Sequence, residues 1–122
     1  MKVLLGIGGS DDSLRALDAA VERATEAGDD LTVAVVDNPA SDRSPGELLD
    51  RVESRLDGVD LDADVRRLEG HAGSVLVELA ESEGFDQIVL GGGEDSPLGK
   101  IRVGDIAEFV LLNSHVTVKL VR

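Results

Sequence analysis

The chain contains no cysteine, no tryptophan and no tyrosine, and only two phenylalanines among its 122 residues. Without cysteine there are no disulfides, no thiolate metal ligands and no cysteine nucleophile. Nor does any apolar run approach the ~20 residues that a membrane-spanning helix requires. The opening Met1-Lys2-Val3-Leu4-Leu5-Gly6-Ile7 is too short, and too soon interrupted by Gly8 and Gly9, to read as a signal peptide. A soluble cytoplasmic protein is the expectation. Lysine is scarce as well: Lys2, Lys100 and Lys119 are the only three, within 12 basic residues set against 25 acidic ones. The formal net charge of −13 is spread along the whole chain, so no acidic tail is indicated. A uniformly acidic surface repels phosphate backbones, which argues against a nucleic-acid partner.

What is present fits one compact domain, residues 1–122, with 42% hydrophobic residues to build a core. The abundance of Asp and Glu beside so little Lys and so few aromatics resembles the composition of proteins from extreme halophiles, in particular haloarchaea. Self-repulsion of this size weakens a compact state in dilute buffer. In molar salt the screening length falls to about 3 Å and the repulsion largely disappears.

The apolar pattern alternates between two periods. Val3–Ile7, Leu31–Val36, Gln87–Leu90 and Val116–Val121 read as strands, and Ala63–Leu68 as a weaker one whose Asp64, Arg66 and Arg67 suit a sheet edge. Between them, Leu14, Leu17, Val21 and Ala24 recur at helical spacing after the candidate caps Ser10, Asp11 and Asp12, and Gly28 stops that helix. Ser44-Pro45-Gly46-Glu47 is a capping box with proline at the first helical position; Leu48, Leu49, Val52 and Leu56 follow on one face. A third helix carries Val75, Leu76, Leu79 and Ala80, and a fourth carries Val103, Ile106, Ala107, Val110 and Leu111. Five strands alternating with four helices predict an α/β, doubly wound parallel sheet covered on both faces. Glycines mark two strand ends, Gly8-Gly9 and Gly91-Gly92-Gly93. If those strands are neighbours, the order is 3-2-1-4-5 and both loops open on one crevice at the switch point.

The stretch from Gly91 to Asp105 carries a conflict. A glycine-rich strand-to-helix loop offers backbone N–H groups and a helix N-terminus to an anion. Here, however, Glu94, Asp95 and Asp105 occupy that loop and the start of its helix. The candidate crevice residues are Gly8, Gly9, Ser10, Val36, Gly91, Gly92, Gly93, Glu94, Gly104 and Asp105. The three consecutive glycines equally suit a tight turn that tolerates positive φ. Asp11, Asp12, Glu94, Asp95 and Asp105 form a candidate oxygen-rich cation site, although Asp11 and Asp105 are also ordinary helix N-terminal acids. His71 and His115 read as loop histidines, and neither Ser10 nor Ser96 sits in a nucleophile elbow, so no catalytic residue is assigned. Lys100 and Arg102 can meet an anion or pair with Glu94 and Asp95, and the charge pairing is the preferred reading.

Taken in order, these pieces resemble the universal stress protein family over essentially the whole chain. The carriers are Gly9-Ser10, the helix Ser13-Leu14-Arg15-Ala16-Leu17, Leu68-Glu69-Gly70, and the run Gly84-Phe85-Asp86-Gln87-Ile88-Val89-Leu90-Gly91. Gly104-Asp105-Ile106-Ala107-Glu108 before a valine-rich strand completes the set. ATP-binding members carry Gly-x2-Gly-x9-Gly-Ser/Thr after the fourth strand. Matched by position, this chain has Gly91, Glu94, Gly104 and Asp105, and Gly8 where the family places an aspartate near the adenosine.

Two carboxylates therefore stand where the resemblance puts phosphate. Each costs about 1 kcal/mol at ~4 Å in water and ~4 kcal/mol in a partly buried site. Micromolar binding amounts to about −8 kcal/mol. The resemblance thus implies a non-catalytic stress-response or regulatory domain with no ATP cofactor. A small-molecule or nucleotide binder using the Gly91–Gly93 loop, with or without hydrolysis, is the alternative. The family also implies a homodimer through the last strand, here Val116, Val118 and Leu120. Family members often carry proline where this chain has Thr117, which restores a backbone donor to that strand. Lys119 is an edge-blocking residue that acidic neighbours can satisfy.

Overall fold

The structure, a computed structural model, describes residues 1–92, 94–95, 101–102 and 104–122. Residues 93, 96–100 and 103 lie outside the described residues, so the expectations placed on Gly93, Ser96, Lys100 and Val103 do too. The chain runs β1 (Lys2–Ile7), α1 (Asp11–Ala27), β2 (Asp30–Val36), α2 (Pro45–Leu56), β3 (Asp64–Leu68), α3 (Ala72–Ser82) and β4 (Gln87–Gly91). It continues through β5 (Glu94–Asp95), β6 (Ile101–Arg102), α4 (Asp105–Asn113) and β7 (Thr117–Val121). Five strands form one parallel sheet of order β3-β2-β1-β4-β7. Counting only these five, that is 3-2-1-4-5, with β3 at one edge as its charged pattern indicated. The short strands β5 and β6 pair antiparallel inside what the sequence presents as a continuous loop.

Both faces of the central strands are buried, which is why they read as unbroken apolar runs instead of alternating ones. Val3, Leu5, Ile7, Val33, Val35 and Val89 point to one side, against α1 and α2. Leu4, Ala34, Val36, Ile88 and Leu90 point to the other, against α3 and α4. Val36 is 1% exposed within this second cluster, so its side chain belongs to the core.

The helix boundaries follow local chemistry. Ser10 caps α1 and Gly28 ends it in the left-handed conformation at φ 73°. Ser44 caps α2 with Pro45 in the first turn, and its hydroxyl accepts from the Glu47 N–H at 3.2 Å. His71, which the sequence presents as a loop residue, is the N-cap of α3. Leu111, expected on the inward face of α4, is 45% exposed. Successive helical residues turn by about 100°, so with Phe109 turned toward the start of α3, Leu111 turns away from it. Among the described residues no helix is long and apolar enough to cross a membrane.

Candidate functional site

The sheet reverses its winding between β1 and β4, and the end of β1, Gly91 and the start of α4 come together at that switch point. A crevice of about 130 Å³ opens there between Gly8, Ser10, Asn38, Gly91, Asp105 and Ile106. The structure thus brings together Gly8, Ser10, Gly91, Gly104 and Asp105 from the expected set. Val36 is not among the residues that line it.

The β1–α1 turn is tied together from within. Gly9 has φ 98°, and a Cβ there would fall 2.1 Å from Ser41 Oγ, so the position suits glycine alone. The Gly9 N–H donates to Ser13 Oγ at 3.2 Å, and the Ser13 hydroxyl donates to the Ser10 carbonyl at 2.7 Å. Ser10 Oγ in turn accepts from the Ser13 N–H at 3.1 Å. From outside, Arg43 donates to the Gly9 carbonyl at 2.6 Å and to Asp11 Oδ1 at 2.9 Å. The hydrogen bond from Arg43, and then its charge, hold the Asp11 carboxyl below the usual aspartate range. Asn38 Nδ2 donates to the Gly8 carbonyl at 2.9 Å and so closes the turn from the β2 side.

The β4 end is closely packed. A Cβ on Gly91 would sit 2.5 Å from the Ser13 backbone nitrogen, so the glycine lets α1 rest on the strand end. Gly92 is pressed against Leu120, and its N–H donates to the Val121 carbonyl at 2.7 Å. Close packing thus accounts for two of the three consecutive glycines. Gly104, the N-cap of α4, has no side-chain capping bond, and the exposed Asp105 follows it in the first turn. A Cβ at Gly8 would lie 3.0 Å from Ile106 Cδ1 and 3.4 Å from Asn38 Nδ2. The space that a larger residue at position 8 would take is held by those two side chains.

Beside the crevice a wider cleft of about 840 Å³ opens, lined by Arg15, Arg43 and Arg122 together with Asp11, Asp12 and Asp42. Asp12 is buried and paired with Arg15. For the candidate cation site, no group of three or more histidine, aspartate or glutamate side chains among the described residues is placed to hold a metal. Asp11 is turned to Arg43, and the side chains of Glu94 and Asp95 lie outside the described residues.

Sequence reasoning passed over Asn38, Arg43 and Ile106. Asn38 and Arg43 reach across 30 and 34 residues respectively to the β1 end, and no local pattern announces such a contact. It also passed over Asp37, which accepts from the Gly70 N–H at 3.2 Å and pairs with Arg67. That pairing anchors the β3–α3 turn on the end of β2. The Gly70 N–H and then Arg67 hold the Asp37 carboxyl below its ordinary range.

The sequence pattern of the Universal stress protein family matches residues 1–122. No curated protein matches the chain by sequence. Among solved structures, a universal stress protein in complex with cAMP is 30% identical at TM-score 0.71, over 100% of this chain and 96% of that one. The universal stress protein of Archaeoglobus fulgidus in complex with dAMP is 17% identical at TM-score 0.64, over 100% of this chain and 98% of that one. An Arabidopsis thaliana family protein with AMP bound is 13% identical at TM-score 0.70, over 99% of this chain and 90% of that one.

Proposed function

The chain belongs to the universal stress protein family, and from that premise we propose that it is a non-catalytic regulatory domain that does not bind ATP. The observation that carries this reading is Asp105, exposed in the first turn of an α4 with no side-chain cap, on the wall of the switch-point crevice. A carboxylate there meets any phosphate drawn to the helix N-terminus with like charge. Two further features support it. The Gly9 and Gly92 N–H groups are already bonded within the protein, and Ile106 and Asn38 crowd the place of the family aspartate at Gly8.

Calorimetric titration with ATP and Mg²⁺ in molar KCl tests the reading. Binding no tighter than about 1 mM, or about −4 kcal/mol, is expected. A micromolar dissociation constant at any salt concentration overturns it. Solved relatives with cAMP, dAMP and AMP favour a second reading, a nucleotide-binding crevice. The same titration run with AMP and cAMP separates the two.

The domain works, on this proposal, as a cytoplasmic homodimer joined along β7. Val118 and Leu120 pack inward while the strand's outer backbone edge faces away from β4. The opposite edge, β3, carries Arg66 and Arg67, paired with Glu83 and Asp37, a charged edge of the kind that discourages strand addition. Light scattering in molar KCl is expected to give a dimer, and Val118→Pro a monomer, because proline removes a strand donor. A wild-type monomer at tens of micromolar protein rejects the interface. With a net charge of −13, the folded state is also expected to gain thermal stability from low to molar salt, as a halophilic protein does. A midpoint that stays flat rejects that part of the proposal.

A further inference from the structure

We propose that His71 is a pH-sensitive latch joining the start of α3 to α4. Its Nδ1 accepts the Ser74 N–H at 3.1 Å and lies 2.9 Å from the Ser74 hydroxyl, so an imidazole caps the helix where Ser or Asp usually does. Accepting an N–H requires a bare Nδ1, which assigns the proton of the neutral ring to Nε2. The other side of the ring meets Phe109 of α4 edge-on, with centroids 4.8 Å apart. Gly73, two residues on, lies so close to the same phenylalanine that a Cβ would fall 2.5 Å from its ring. The first turn of α3 therefore clasps Phe109 from two positions, and the first turn of that same α4 lines the switch-point crevice.

Protonation changes the latch in one step. A proton on Nδ1 takes away the lone pair that receives the Ser74 N–H, and it places a positive charge at the positive end of the α3 dipole. Histidine is the side chain whose charge ordinarily changes on mild acidification. The elements that meet the latch carry mostly acid. Glu69 stands on the β3–α3 turn, the pair of Asp37 after β2 and Arg67 of β3 holds Gly70 there, and on the first turns of α4 stand Asp105 and Glu108. On α3 itself, Glu78 and Glu81 lie toward the far end. Once the imidazolium gives up its cap, these carboxylates offer it an alternative partner. Acidification thus frees the start of α3 and loosens the contact that sets α4 against it.

Amide hydrogen exchange of Ser74 and Val75, corrected for the intrinsic pH effect, tests the latch at pH 7.5 and 5.5 in molar KCl. Protection in the wild type is expected to fall about fivefold to tenfold at the lower pH, the fold-change equivalent of one N-cap. His71→Asn supplies a capping oxygen that does not titrate, so its protection is expected to be equal at the two values. His71→Ala is expected to show the low value at both. A wild type whose protection does not change overturns the proposal. So does an Asn variant that loses as much as the wild type, since His115 or a carboxylate would then be responsible. Ring ¹⁵N shifts give an independent reading: a neutral His71 carrying its proton on Nδ1 at pH 7.5 excludes the cap.

Discussion

In the β1–α1 turn, the Gly8 and Gly9 carbonyls, the Gly9 N–H and the Ser10 hydroxyl all have partners, drawn from Ser13, Asn38 and Arg43. At the start of α4, Gly104 caps the helix without a side chain, has nothing among the described residues within 4 Å of its Cβ position, and is followed by an exposed acid. Both helix starts face one crevice. The difference shows how the site is divided. One wall is a braced platform, and the other is a helix start that carries an exposed carboxylate. Substitutions on the first wall should therefore register mainly as stability, and those on the second mainly as binding.

The strongest challenge to that division is Gly91→Ala. The new methyl would press on the Ser13 and Asp12 backbone, which cannot yield as a flexible side chain can. A loss of about 3 kcal/mol by denaturant unfolding is expected. Gly104→Ala, with no described residue within 4 Å of the new methyl, is the control and should cost less than about 1 kcal/mol, the difference between glycine and alanine at an N-cap; equal losses would erase the contrast. Next comes Gly9→Ala, which combines a positive φ with a contact to the movable Ser41 hydroxyl, at a cost of about 2 kcal/mol. Ser10→Ala removes the α1 cap and should cost about 1 kcal/mol in the same assay.

A smaller effect concerns acid. Because Arg43 lowers the Asp11 carboxyl, this pair stabilises the fold above the ordinary aspartate value near pH 4. The contribution disappears as pH falls through the lowered value. Asp11→Asn should flatten the corresponding part of the acid-unfolding curve, and an unchanged curve would mean that Arg43 braces the turn through the Gly9 carbonyl alone. The smallest expected change is Gly104→Ser, which gives α4 the cap it lacks and should raise stability by about 0.3 kcal/mol. A loss there would show that the open start is sterically constrained after all.

Much of this architecture is legible without coordinates. Continuous apolar runs such as Leu31–Val36 announce strands buried on both faces, and Ser10, Ser44 and Gly28 mark helix ends by local chemistry. The alternation of the two patterns implies the parallel sheet, and the two glycine clusters imply which strands flank the switch point. Reading residue by residue goes astray where one side chain serves two elements. His71 has the surroundings of a loop histidine, yet it caps α3 because the backbone before it is extended and Ser74 returns to it. Gly91 and Gly92 read as a phosphate loop or a tight turn, and the structure adds their close packing against α1 and β7.

The sequence by itself determined the fold class, the strand order, the acidic surface and the carboxylate at the head of α4, because periodicity, capping and charge are properties of residues and their near neighbours. Only the tertiary structure decided that Asn38 and Arg43 close the β1 turn, that Ile106 occupies the space beside Gly8, and that Phe109 couples α4 to the cap of α3. Those contacts join residues about 30 or more positions apart in the chain, and they exist because parallel crossovers carry successive strand ends to the same side of the sheet.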